Sequence, residues 1–157
     1  MGSRDGRQKR VRIAAAAMVL VAGFARADDG KPAPAEALPR AVHDKGCTFY
    51  QGLTWAAGKT SGVGEPLRIV VAEKADGSDS KMQYTGYASL AGGPWERHIG
   101  AMICDNSDEI RCQAQLFSED GKKGDQITAW TNYLMTLDDV GWNNRSSSLL
   151  VGCAVLK

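Results

Sequence analysis

Residues Asp138 to Val151 read DDVGWNNRSSSLLV, passing from turn to strand within a few positions. Gly141 follows two acidic residues and a valine, and Trp142 stands directly after it. Asn143-Asn144-Arg145-Ser146-Ser147-Ser148 is a polar run. Short amide and hydroxyl side chains of this kind hydrogen-bond nearby backbone and hold a tight loop. Leu149-Leu150-Val151 is apolar and continues toward Leu156, so Ser147 to Leu156 is predicted to be a closing strand.

Working back toward the N-terminus, the chain repeats this alternation of turns and short apolar segments without a sustained helical period. Gln126 to Trp130 and Tyr133 to Thr136 read as strands, and Asp120-Gly121-Lys122-Lys123-Gly124-Asp125 as the turn before them. Cys112, Ala114 and Leu116 alternate with Gln113 and Gln115, which marks a strand with one wet face. Earlier strands are expected at Cys47 to Gln51, Leu67 to Glu73, Met82 to Leu90 and His98 to Cys104. Trp55 to Gly64 is glycine-rich and is expected to be irregular. Eight short strands at this spacing predict an all-β domain, a two-sheet sandwich or a barrel. Cys47 opens the first half as Cys112 opens the second, which suggests two Greek-key motifs, 47–104 with long loops and 112–153.

The N-terminal region reads differently. Arg4, Arg7, Lys9, Arg10 and Arg12 precede an apolar run from Ile13 to Phe24, which is too short for a bilayer span of about 20 residues. Ala25-Arg26-Ala27 supplies the small-x-small pattern of a cleavage site, so residues 1–27 are expected to be a signal peptide and the product to be secreted or periplasmic. Residues 28–46, with Pro32, Pro34 and Pro39, read as a flexible tether, and 47–157 as the domain. The whole chain carries 19 basic and 18 acidic residues. Loss of residues 1–27 leaves 13 basic against 17 acidic, a net of −4. A mildly acidic product without a basic stripe excludes nucleic acid as an expected partner. No later segment has the length of a membrane span. The expected partner is a secreted or envelope protein, and the oligomeric state is open.

Four cysteines, Cys47, Cys104, Cys112 and Cys153, all fall in the exported part. No close Cys-x-x-Cys pair exists to build a zinc centre, so two disulfides are expected. Three connectivities are open. Cys47–Cys104 with Cys112–Cys153 would close each half separately. Cys104–Cys112 with Cys47–Cys153 is favoured slightly, because Cys104 and Cys112 flank one polar loop.

Asn143-Asn144-Arg145-Ser146-Ser147-Ser148-Leu149 resembles the hallmark of the βγ-crystallin superfamily, which includes bacterial secreted members and a metalloproteinase-inhibitor family. That hallmark is two Asn/Asp residues, two variable residues, then Ser/Thr-Ser and a hydrophobic strand. Phe117 and Gly124 fit the outer positions of the family's aromatic-aromatic-glycine signature, with Lys122 in place of the inner aromatic. Tyr50 and Trp55 fit the aromatic pair in the first half, with Gly58 one residue late. The resemblance implies a βγ-crystallin-like sandwich of two Greek keys. It also implies a calcium site in which Asn143, Asn144, the carbonyl of Arg145 and Ser147 face a carbonyl near Gln51. Hard Ca²⁺ takes six to eight oxygen ligands of this type. Asn143 and Asn144 are neutral where carboxylates would bind more tightly, and no clear copy of the motif stands in the first half. The loop therefore has two readings, a structural turn and a calcium site.

Catalytic machinery is not evident. His43 lies in the tether, leaving His98 for any triad, and no serine sits in a nucleophile elbow. Oxidised cysteines offer no thiolate, and the carboxylates fall in polar turns. The expectation is a protein that binds rather than catalyses: an exported module, calcium-binding or structural, or alternatively an inhibitor of a protease or other hydrolase. Of the tryptophans, Trp130 and Trp142 are expected in the core. Trp55 and Trp95, in glycine-rich loops, are also expected there, with anchoring of a partner or carbohydrate as the alternative.

Overall fold

In the computed structural model, which describes residues 37–77 and 82–156, the apolar segments pair into eleven antiparallel strands. They are β1 Gly46–Tyr50, β2 Leu53–Ala56, β3 Lys59–Gly62, β4 Leu67–Val70, β5 Glu73–Lys74, β6 Tyr84–Ser89, β7 Ala101–Cys104, β8 Ile110–Glu119, β9 Lys123–Ala129, β10 Met135–Thr136 and β11 Ser148–Val155. One sheet runs β10-β7-β1-β4 and a second runs β5-β6-β11-β8-β9. The signal peptide expected for residues 1–27 lies outside the described residues, as do residues 28–36 of the tether. Its last part is packed: a 3-10 turn at Arg40–Val42 places Val42 in the core, and Leu38 packs against it.

The strand orders reveal the internal repeat. β1, β4 and β7 of the first half lie beside β10 of the second, in the order β4-β1-β7-β10. β8, β9 and β11 of the second half lie beside β6 of the first, in the order β9-β8-β11-β6. Each half is a Greek key that lends its third strand to the other sheet. The exchange explains why one cluster of buried side chains serves both sheets, with Phe49, Met102, Leu116, Leu137, Leu149 and Val151 each fully buried. Alternation sorts the strands as read: Cys112, Ala114 and Leu116 point inward, while Arg111, Gln113 and Gln115 face outward.

Two expectations need correction. The glycine-rich segment after Gly52 is not irregular but folds into the β2–β3 hairpin, with Leu53 opposite Gly62 and Ala56 opposite Lys59. Ala57 and Gly58 turn it, both at positive φ. The favoured disulfide pairing is also replaced. Cys47 pairs with Cys104 and Cys112 with Cys153, because each pair stands directly opposite across a ladder, β1 against β7 and β8 against β11. Cα atoms only 4.0 and 4.1 Å apart leave no choice of partner. The polar loop between Cys104 and Cys112 is held without a bridge. Asn106 accepts from the Cys112 N–H at 2.9 Å and donates to the Thr131 carbonyl at 3.1 Å.

Candidate cation site

The loop ahead of β11 is a dense set of short-range bonds. Trp142, 5 % exposed, donates its indole N–H to the Ser146 hydroxyl at 3.0 Å. The Ser148 hydroxyl donates to the Glu119 carbonyl at 2.8 Å and accepts from the Lys122 N–H at 3.2 Å, folding the β8–β9 hairpin tip back onto β11. Asn144 sits at φ 54°, a left-handed conformation that asparagine tolerates better than most residues. The Arg145 guanidinium lies 4.6 Å from the centroid of the Trp142 ring and pairs with Asp125 at 3.0 Å.

A second copy of this loop, not recognised in the sequence, occupies Leu90 to Ala101. The Asn144 N–H donates to the Ile99 carbonyl at 2.9 Å, and the Arg97 N–H donates to the Ser146 carbonyl at 2.8 Å. Arg97 also has positive φ, at 56°. The Gly100 N–H meets the Tyr50 carbonyl as the Ser147 N–H meets that of Phe117, and Leu137 and Leu90 donate back to the Gly100 and Ser147 carbonyls. These reciprocal bonds align Trp95-Glu96-Arg97-His98-Ile99-Gly100-Ala101 with Trp142-Asn143-Asn144-Arg145-Ser146-Ser147-Ser148. The signal available in the sequence was the shared Leu-x-x-x-x-Trp spacing, Leu90 to Trp95 and Leu137 to Trp142.

This pseudo-two-fold divides the expected ligands between two groups of contacts. In one, a Cβ built on Gly100 would lie 2.5 Å from the Gln51 carbonyl oxygen and 2.8 Å from Asn143 Oδ1. Both oxygens thus face the space that a side chain at position 100 would fill. In the other, Ser147 Oγ stands 3.4 Å from Glu96 Oε1, and Glu96 Oε2 accepts from the Gly92 N–H at 2.8 Å. Gln51 and Asn143 are therefore brought together, whereas Ser147 faces Glu96, a residue the sequence reading passed over. Asn144 is exposed, and its contribution to the loop is the backbone bond to Ile99. The side chain of Arg145 is committed to Trp142 and Asp125. Neutral oxygens with a single carboxylate suit a weakly held hard cation rather than zinc. Among the described residues, no group of three or more His, Cys, Asp or Glu side chains is placed to hold a metal ion.

Two tryptophans depart from expectation. Trp142 is buried and Trp95 packs against the core, but Trp130 is 60 % exposed rather than buried. Trp55, 73 % exposed, stands on the β2–β3 hairpin.

Fold and loops define an all-β protein of two strand-exchanged Greek keys, each closed by its own disulfide. No family model matches the sequence, and no curated protein matches it. Among solved structures, the crystal structure of the N-terminal domain of protein S is similar, at 20 % identity and a TM-score of 0.42, covering 71 % of this chain and 99 % of that one.

Proposed function

We propose that this protein is an exported, non-enzymatic βγ-crystallin-like module that binds Ca²⁺ between its two paired loops. The observation that carries the reading is the convergence of the Gln51 carbonyl and Asn143 Oδ1 on the space left by Gly100, repeated in the other half by Glu96 and Ser147. A backbone carbonyl, an amide oxygen, a hydroxyl and a carboxylate are the ligand types Ca²⁺ takes. Gly100 stands where the other half has Ser147, so one group lacks a hydroxyl and the other holds the carboxylate. The Glu96–Ser147 pair, which carries the charge, is the stronger of the two. Export to an oxidising compartment agrees with two disulfides and no free cysteine among the described residues. None of their helices is long and apolar enough to cross a membrane.

Titration calorimetry with Ca²⁺ on the metal-stripped protein tests the reading. Saturable binding is expected, weakened most by Glu96→Gln and less by Asn143→Ala. Absence of heat, together with an unchanged melting temperature in Ca²⁺ and in EDTA, would reduce both loops to structural turns. A second reading, inhibition of a secreted hydrolase, is favoured by the β2–β3 hairpin, which carries the exposed Trp55 as a contact residue. Trp55→Ala abolishing inhibition of a secreted protease, with Ca²⁺ binding intact, would support it.

A further inference from the structure

The outward face of β8 and its neighbours carries a second constellation that uses none of the loop residues. Register places Gln113 opposite Gly152 and Arg111 opposite Ala154. Ala114 pairs with Ala129, which sets Trp130 beside Gln113 on the other flank. Two small residues on β11 leave a trough, and Met82 lies over Gly152, where an added Cβ would come within 1.8 Å of its sulfur. The result is a hollow of about 390 Å³ with a Met82, Ala154 and Leu156 floor and a Trp130 wall, and with Arg111 and Gln113 as its polar groups. This volume falls within the usual range for a small-molecule site.

On the far side of the same Arg111–Trp130 pair lies a second hollow of about 200 Å³, bordered by Ser107, Asp108 and Asn132. The Arg111 guanidinium lies 5.5 Å from the centroid of the Trp130 ring, and no ion pair to it is found among the described residues. An exposed indole offers a flat apolar face for the C–H surface of a sugar ring. An unpaired guanidinium beside it offers a fork for a carboxylate. Asp108 repels an anion from the smaller hollow and accepts hydrogen bonds from hydroxyls instead.

From this arrangement we infer that the Arg111–Trp130 groove binds an acidic saccharide. One uronate ring stacks on Trp130 with its carboxylate on Arg111 in the larger hollow. The hydroxyls of the next ring meet Asn132 and Asp108 in the smaller one. Gln113 bonds the ring hydroxyls nearest the β8 strand.

Titrating digalacturonate into the purified protein in EDTA, read by calorimetry and tryptophan fluorescence, tests this independently of the calcium reading. Saturable binding is expected, with fluorescence quenching and with affinity falling as salt rises. Arg111→Gln is expected to weaken it about tenfold or more, the scale of one charge-assisted contact. Trp130→Ala should abolish it, and Trp130→Phe should retain part of it. Both side chains are exposed, so melting temperatures report directly whether the variants remain folded. No binding by the wild-type protein overturns the inference. So does equal affinity for the neutral disaccharide of galactose, or binding undiminished in both Arg111→Gln and Trp130→Ala.

Discussion

Removing each disulfide separately gives a quantitative test of the topology. Cys47–Cys104 closes a loop spanning 57 positions and Cys112–Cys153 one spanning 41. In the chain-entropy treatment, loops of those lengths restrict the unfolded chain by about 4.2 and about 3.9 kcal/mol at room temperature. The two loops share no residues, so the losses should add. All four cysteines are at most 4 % exposed. Replacement by alanine in pairs therefore leaves small voids that add to the loss, whereas serine would bury hydroxyls. Cys47→Ala/Cys104→Ala and Cys112→Ala/Cys153→Ala should therefore destabilise by similar amounts, each on the order of 4 kcal/mol. Urea unfolding followed by tryptophan fluorescence measures this. Under the alternative pairing each double variant would take one cysteine from both bridges, one closing about 8 residues and one about 106, so either variant would lose both restrictions, about 7 kcal/mol together. A loss approaching about 7 kcal/mol in both double variants, a clear inequality between them, or a loss below about 1 kcal/mol in either would refute the reasoning.

Three further outcomes follow from individual contacts. Gly100→Ala pushes a methyl against the Gln51 carbonyl and Asn143; it should cost about 1–3 kcal/mol by overpacking and also reduce Ca²⁺ binding, which melting and calorimetry together would register. Trp142→Phe leaves the buried Ser146 hydroxyl without its indole partner, so a loss of at least about 1–3 kcal/mol is expected in chemical denaturation. The Asp120 carboxyl is held below its ordinary value by a hydrogen bond from Ser89, and then by bonds from the Tyr87 hydroxyl and the Gly121 N–H. Its contribution to stability is present above the unfolded-state value and is lost as pH falls through the lowered folded value. The advantage of wild type over Asp120→Asn in melting temperature should therefore shrink in acid, and an advantage independent of pH would contradict the assignment.

Much of this architecture is visible as local pattern. Period-two alternation at Cys112 to Leu116 and the β-branched run at Leu67 to Val71 mark strands because burial on one face selects apolar side chains at every second position. The turns at Asp120 to Asp125 and at Gly141 are legible for a related reason: left-handed backbone favours glycine, and Gly121, Gly124 and Gly141 all have positive φ. The β2–β3 hairpin was hidden because neither strand has a buried face; Thr54, Trp55, Ala56, Lys59, Thr60 and Ser61 are all exposed, so no alternation was selected. Trp130 was misplaced for the converse reason, since adjacency to a strand does not tell which face a residue joins once the strand ends.

The site divides along the same line. NNRSSS shows by its side chains that a tight polar loop precedes β11. That Glu96 is the partner of Ser147, and Gln51 of Asn143, depends on residues 51 and 92 positions apart meeting across a pseudo-two-fold axis. The first-half loop kept its backbone bonds while exchanging almost every side chain, so its likeness to the second is carried by main-chain geometry. Four cysteines without a close Cys-x-x-Cys pair called for two bridges on composition alone. Which cysteines join is decided by strand register, which sets Cys47 directly opposite Cys104 and Cys112 directly opposite Cys153.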